Sequence, residues 1–317
     1  MALSLIVVVS LTFYLMDAVP GNFLEVYEQT QAPLADGGEA VKEYKAKFNE
    51  KFHLDKPVYV RIGTYFGQVL QGDFGTGYKN QDVQLGSLVL EKLPVTAKVA
   101  FLGLLFAIFL GIPMGVWAAL RKNSWVDYLL MNVSMLGLVI PNYVVAIALI
   151  VFFSIFVKNF EIAGSYPLDF MRLPAGGWGR IEHMILPALA LGMRPLAQVA
   201  RFIKASLLET LEQDFIRTAY AKGISKFRVV GVHGLRSSLI PVITVMGPNF
   251  AYMIVYSVLV EEVFKLPGVG RMFVMAMVER DTPMLVTVTL ILSASVLLIN
   301  LVVDILYSII DPRIELE

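Results

Sequence analysis

Asp214–Pro241 reads DFIRTAYAKGISKFRVVGVHGLRSSLIP, and it carries Arg217, Lys222, Lys226, Arg228 and Arg236 between two apolar runs, each long enough to cross a bilayer. A basic interruption of this kind decides the fold, because Lys- and Arg-rich loops of a chain that threads a membrane repeatedly stay on the cytoplasmic side. The 317 residues around it are 57% hydrophobic and 16% charged, with mean hydropathy +0.68. A soluble domain carries roughly 25% charged residues, so this is an all-α integral membrane protein. A net charge of zero argues against a nucleic-acid partner, which demands a basic face. The absence of cysteine removes disulfides, thiolate metal sites and cysteine nucleophiles together.

A hydrocarbon core of about 30 Å needs about 20 apolar residues in helical form. Six windows qualify: 2–18, 95–120, 126–157, 184–203, 239–260 and 284–310. The third is long enough to tilt or to break at Pro141. The fourth, with Pro187, Arg194 and Pro195, is the least apolar and is expected to be the most surrounded by protein. The first has no charged n-region and no small-residue cleavage pattern at its end, so it reads as a retained helix and not as a signal peptide. It begins at Met1 with no basic flank, and a longer start upstream is expected.

With all six windows crossing, the loop containing Arg121 and Lys122 falls on the same side as the 204–238 loop, whose stretch from Lys204 to Arg236 holds six Lys and Arg. That side is cytoplasmic, and so are both termini. The 19–94 segment is then external, its Pro20–Pro94 stretch carrying eight Lys and Arg against ten Asp and Glu. The expected organisation is a first helix (1–18), an external, partly helical segment (19–94) and a five-helix core (95–317). In the external segment, Val41, Tyr44, Phe48 and Phe52 recur at helical spacing. Pro57 opens a second helix containing Val60, Tyr65 and Val69, and the glycines of QGDFGTGY mark a tight turn.

The usual catalytic patterns are missing: no G-x-x-x-x-G-K-[ST] phosphate loop, no H-E-x-x-H and no G-x-S-x-G. His53, His183 and His233 lie far apart, which disfavours a metal site, and GVGRMF at Gly268 reads as a turn. If the chain does no chemistry of its own, a transport role must draw energy from elsewhere, and the 204–238 loop is where a partner could deliver it. Glu209, Glu212 and Asp214 precede a first helix of barely four turns that ends at Lys222, which complements a helix dipole. Gly223 suits the left-handed residue after a helix, and Ser225 suits the cap of a second helix running toward Leu239. Ala219 and Ala221 beside Arg217 and Lys222 offer close approach with a polar rim. Residues alone leave two readings open, a docking knob or a solvated loop that fixes topology.

The same loop resembles the cytoplasmic signature loop of ATP-binding-cassette importer permeases, specifically the dipeptide and oligopeptide family. LDKPVYVRIGTYFGQVLQGDFGTG, LPVTAKVA, GIPMGVWAA, HMILPALALG, FKLPGVGR and NLVVDILYSIIDPRI resemble that family's segments in the expected order, across essentially the whole chain. The pattern is that of the first of two permease subunits, with its large external segment after the first helix. The resemblance implies a type I importer permease with six transmembrane helices in a bacterial plasma membrane. It pairs with a homologous second permease, two cytoplasmic ATPases that bind ATP and magnesium, and an extracytoplasmic peptide-binding protein. No cofactor in this chain and no catalysis by it are implied.

In that family a coupling helix sits in a cleft of the ATPase. The carry-over falls on Arg217, Thr218, Ala219 and Gly223, and Asp214, Ala221 and Lys222 beside them complete the expected ATPase-coupling residues. The broad signature has Glu-Ala-Ala where Arg217, Thr218 and Ala219 stand, and Pro241 lies farther from the glycine than in that signature; both departures resemble the peptide subfamily. The implied mechanism is alternating access, in which ATPase closure rocks the pathway between inward- and outward-facing states by differential affinity.

Polar residues in membrane helices face the bundle interior or a wet cavity, which makes Asn142, Arg194, Gln198 and Asn249 the pathway candidates. Asn142 and Asn249 also suit repair of backbone broken at Pro141 and Pro248. Asp304 reads as a helix-end partner of the basic loop, and Glu261 and Glu262 as either a solvated helix end or a contact for the binding protein or the peptide amine. Related permeases carry nickel chelates or glutathione, and these remain alternatives to peptide. An ATP-independent secondary transporter needs inverted repeats and acidic midplane residues, and neither is seen.

Overall fold

The computed structural model describes residues 1–21, 23–30, 39–156 and 181–310. The side chain of Val41 and the end of the third window at Val157 lie outside the described residues. Fourteen α-helices are present among the described residues. They are α1 (Ala2–Ala18), α2 (Phe23–Thr30), α3 (Glu39–Lys51), α4 (Val58–Val69), α5 (Leu85–Leu120), α6 (Trp125–Val139) and α7 (Asn142–Phe156). There follow α8 (Ile185–Leu211), α9 (Asp214–Ala221), α10 (Lys226–Arg228), α11 (Leu235–Ser238), α12 (Ile240–Phe264), α13 (Val269–Val278) and α14 (Thr282–Ile310). The only extended pairing among the described residues is one bridge between Thr76 and Gln84.

All six apolar windows fall on helices, with two corrections of shape. The second begins ten residues early, because α5 runs from Leu85 straight through Pro94; hydropathy marks only its apolar part. The third is two helices, α6 and α7, turned 109° from each other at Ile140–Pro141. Pro141 forces the preceding residue out of helical geometry, and Ile140 is extended at φ −81°, ψ 125°. Among the described residues, three helices are long and apolar enough to cross a membrane, or four if the bent pair is one span. The remaining two of the six are α1, with 17 residues, and α8, with 27 residues including four charged ones.

The chain divides into two compact units. In the first (Met1–Pro94 and Gly268–Ser295), α1, α4 and the start of α14 bury Val9, Phe13, Tyr65, Val286 and Leu290 together. The helical periodicity of the 19–94 segment is realised in an aromatic cluster of Phe23, Phe48, Phe52 and Tyr78, although Tyr44 remains exposed. QGDFGTGY turns on Gly72 and Gly75, at φ 80° and 71°. Asp281 caps α14 through Met284 N–H and also accepts from Lys79 N–H. Gly77 makes room for it, since a Cβ there would come within 2.9 Å of Asp281 Oδ2. Burial raises the Asp281 carboxyl above its usual range, against the pull of these backbone donors. GVGRMF is the start of α13, with Gly268 at its N-cap, and not a free turn.

In the second unit (Val95–Pro267 and Val296–Glu317), α6, α7 and α12 pack on α8. As the sequence implies, α8 is surrounded by protein, burying Leu186, Ala190, Leu191, Val199, Ala200, Ile203 and Leu207 among others. Glycines set the spacing. Small residues recur every fourth position on α5 (Gly103, Ala107, Gly111, Gly115, Ala119), a seam that lets backbones approach. A Cβ at Gly115 would lie 2.5 Å from the Ala200 carbonyl oxygen, and one at Gly137 of α6 would lie 2.4 Å from that of Met193.

The N-terminus of α6 is fixed by charge. Ser124 caps it through Asp127 N–H, and Asp127 returns the contact by accepting from Asn123 N–H. The carboxylate, 2% exposed, also pairs with Lys204 of α8 at 2.5 Å. Removing one partner of a buried pair costs more than the pair is worth, because the other charge is left in low dielectric. Lys204→Met is therefore expected to destabilise by about 2–3 kcal/mol, below the ~3–5 of a fully buried pair because the lysine is partly solvated. The Asp127→Asn/Lys204→Met double variant should recover most of that loss. Thermal melts in detergent of the two variants and the parent check this.

Candidate functional site

The basic loop is an amphipathic element held against its own chain. Helix α9 turns Ile216 and Ala219 inward onto Val229, with Leu211 and Ile224 packed beside them. Its other face exposes Asp214, Arg217, Thr218, Ala221 and Lys222, with Phe215 and Tyr220 also open. The helix ends in a Schellman motif: Gly223 N–H donates to Tyr220 O at 2.9 Å and Ile224 N–H to Ala219 O at 3.3 Å. Gly223 sits at φ +76°, the left-handed conformation its composition permits.

Three expectations for the loop change in detail. Helix α9 has eight residues, about two turns and not four. Ala219 is 7% exposed and supports the helix from below, so the small residue on the open face is Ala221. Ser225 stands at the N-cap of α10 without a side-chain cap bond. From Lys226 to Ser238 the chain is one rod, α10 and α11 joined by π-helical Val229–Gly234. Ser238 ties this rod to α8 by a buried hydrogen bond to Thr210 at 3.3 Å. Hydropathy also missed Phe227, 90% exposed between Lys226 and Arg228; an aromatic inside a basic run was the available signal. The Arg217–Asp214 pair at 3.4 Å is almost fully solvated, so it adds little to stability and leaves the guanidinium available.

Three of the four polar pathway candidates converge. Arg194 and Gln198 on α8, one turn apart, face Asn249, Tyr252 and Tyr256 on α12 across a cavity of about 400 Å³ that Thr244, Val245 and Pro248 complete. The Arg194 guanidinium lies 5.4 Å from the Tyr256 ring centre, within cation–π range. Asn249 Nδ2 donates to Val245 O at 2.8 Å, four residues back on its own helix, whereas the N–H that Pro248 lacks would serve the carbonyl of Thr244. Asn142 does not line this cavity; it starts α7, after the bend. The signal for the tyrosines was present in the sequence, since 249, 252 and 256 follow helical spacing.

The remaining acidic candidates are displaced from their expected roles. Glu261 is fully buried, accepting from Ser257 Oγ at 2.7 Å, and is not a solvated helix end. Glu262 pairs with Lys265. Asp304 is exposed and forms no ion pair with the basic loop among the described residues. No cluster of three His, Asp or Glu suited to a metal occurs among the described residues. A larger cavity, about 470 Å³, lies in the first unit near Arg61 and Arg280, but both guanidinium groups are engaged there. Arg61 pairs with Asp17 at 3.1 Å, and Arg280 donates to the Val19 and Pro20 carbonyls.

Long apolar helices, a polar-lined cavity and an exposed amphipathic loop agree with a membrane permease of the type I importer fold. Residues 111–316 match the family model described as binding-protein-dependent transport system inner membrane component. The chain belongs to that family. It is 36% identical over 314 residues to the oligopeptide transport system permease protein OppB of Haemophilus influenzae, covering 98% of this chain and 95% of that one. The OppB of Escherichia coli K12 is 35% identical with the same coverage. The dipeptide transport system permease protein DppB of Bacillus subtilis is 34% identical over 317 residues, 100% of this chain and 96% of that one. Among solved structures, a chain from the crystal structure of an amino acid ABC transporter with histidines aligns with TM-score 0.48 and 18% identity, over 72% of this chain and 94% of that one.

Proposed function

We propose that this chain is the transmembrane permease subunit of an ATP-driven peptide importer in a bacterial plasma membrane. The reading is carried by near-full-length similarity to permeases of oligopeptide and dipeptide transport systems. Two cytoplasmic ATPases hold ATP and magnesium, and this chain, which catalyses nothing itself, receives their motion through α9. The docking face is Asp214, Arg217, Thr218, Ala221 and Lys222; Ala219 and Gly223 hold it in shape. Both termini lie in the cytoplasm, and the 19–94 segment faces the extracytoplasmic binding protein.

The cavity at Arg194, Gln198 and Asn249 is this subunit's half of the pathway. Arg194, Tyr252 and Tyr256 are exposed on the single chain, and lipid tolerates such groups poorly at depth. A homologous second permease closes that face. Proteoliposomes containing both permeases, the ATPases and the binding protein are expected to accumulate labelled peptide only with ATP. Omitting this chain should abolish uptake, and accumulation that persists without it would overturn the reading.

A further inference from the structure

The pathway cavity has a specific chemical asymmetry. Arg194 is the only charged residue lining it, with no carboxylate among its walls and no ion-pair partner among the described residues. It lies nine residues into α8, about 14 Å from the helix start, which on the six-span reading is near the middle of a core of about 30 Å. A cation at that depth without a counter-charge is costly, and the cost is relieved when an anion enters. Four residues on, Gln198 Oε1 is buried without a hydrogen-bond partner. A fork of N–H donors thus stands one helical turn from an unused acceptor, with the aromatic faces of Tyr252 and Tyr256 opposite.

We propose that Arg194 and Gln198 recognise the C-terminal residue of a peptide in transit. Its free carboxylate meets the Arg194 guanidinium, its amide N–H meets Gln198 Oε1, and Tyr252 and Tyr256 face its side chain. The geometry fits because guanidinium binds carboxylate in two parallel hydrogen bonds. A carboxylate is also the group whose transfer to membrane depth most needs a partner. Rings accept side chains of many shapes, so the station reads the terminus common to all peptides and leaves sequence unread. The inference rests on the pathway reading of this cavity.

The test uses the complete transporter in proteoliposomes, loaded with one labelled peptide as its free acid or as its C-terminal amide, both saturating. Comparing each variant with wild type cancels the binding protein's own preference. Arg194→Gln should lower free-acid uptake about tenfold, the effect of losing a charge-assisted contact, and change amide uptake less than twofold. Arg194→Lys should retain the free-acid preference. Gln198→Glu, which sets a carboxylate beside the guanidinium, should reproduce the selective loss should Arg194→Gln fail to assemble. An equal fall for both peptides overturns terminus recognition and leaves the pathway reading standing. Unchanged uptake of both overturns terminus recognition and the pathway reading together.

Discussion

Replacing Arg217 with glutamate is expected to reduce ATP-driven uptake to background while the protein still inserts and accumulates normally. The side chain is about three-quarters exposed and its ionic partner, Asp214, is more so, so the fold loses almost nothing. What changes is the charge at the centre of the open face of α9, between Thr218 and Asp214. Reversing a charge inside a complementary interface juxtaposes like charges and costs several kcal/mol of association. Gly223→Val tests the same face through the backbone. Nothing lies within 4 Å of a Cβ there, so the penalty is conformational: a β-branched residue at φ +76° is a strong outlier. It undoes the Schellman closure and re-aims α9 without touching its exposed side chains. Co-purification of the ATPases and peptide uptake should fall together in both variants; retained uptake in Arg217→Glu would sink the assignment of α9 as the coupling element.

The second large effect is structural. Gly115→Leu and Gly137→Leu should each prevent recovery of folded protein, and the alanine versions should lower the melting temperature in detergent by about 3–5 °C, consistent with an overpacking cost of about 2–3 kcal/mol. In both places the atom in the way is a backbone carbonyl of α8, which cannot step aside as a side-chain tip can. Gly67→Ala is the control. It is also helical, with nothing within 4 Å of its Cβ, and should be neutral or slightly stabilising. Equal melting temperatures for Gly115→Ala and Gly67→Ala would refute the claim that α8 is seated by missing side chains.

How much of this was legible beforehand depends on the range of the interaction. Membrane windows, the break at Pro141, the left-handed Gly223 and the aromatic spacing through Phe48 were readable because each is set within a few residues. The small-residue seam from Gly103 to Ala119 was equally visible, and hydropathy passed over it because glycine and alanine count as merely apolar. The start of α5 at Leu85 was invisible to a criterion that measures greasiness, since a helix does not stop where the membrane does. Misreadings cluster at residues whose role depends on a distant neighbour. Ala219 looked like part of a docking face until Val229 was found beneath it, and Glu261 looked solvated until the fold buried it on Ser257.

By itself, the sequence determined that this protein is a helical membrane protein and where its basic loop bends. Those properties follow from transfer of side chains into hydrocarbon and from local backbone preference, and both add up residue by residue. Only the tertiary structure decided which face of α9 is open and that Arg194, Gln198 and Asn249 share one cavity while Asn142 does not. It alone set Tyr252 and Tyr256 opposite the guanidinium. Those outcomes depend on how closely α5, α6 and α12 approach α8, and that distance is fixed by side-chain volume between helices remote in sequence.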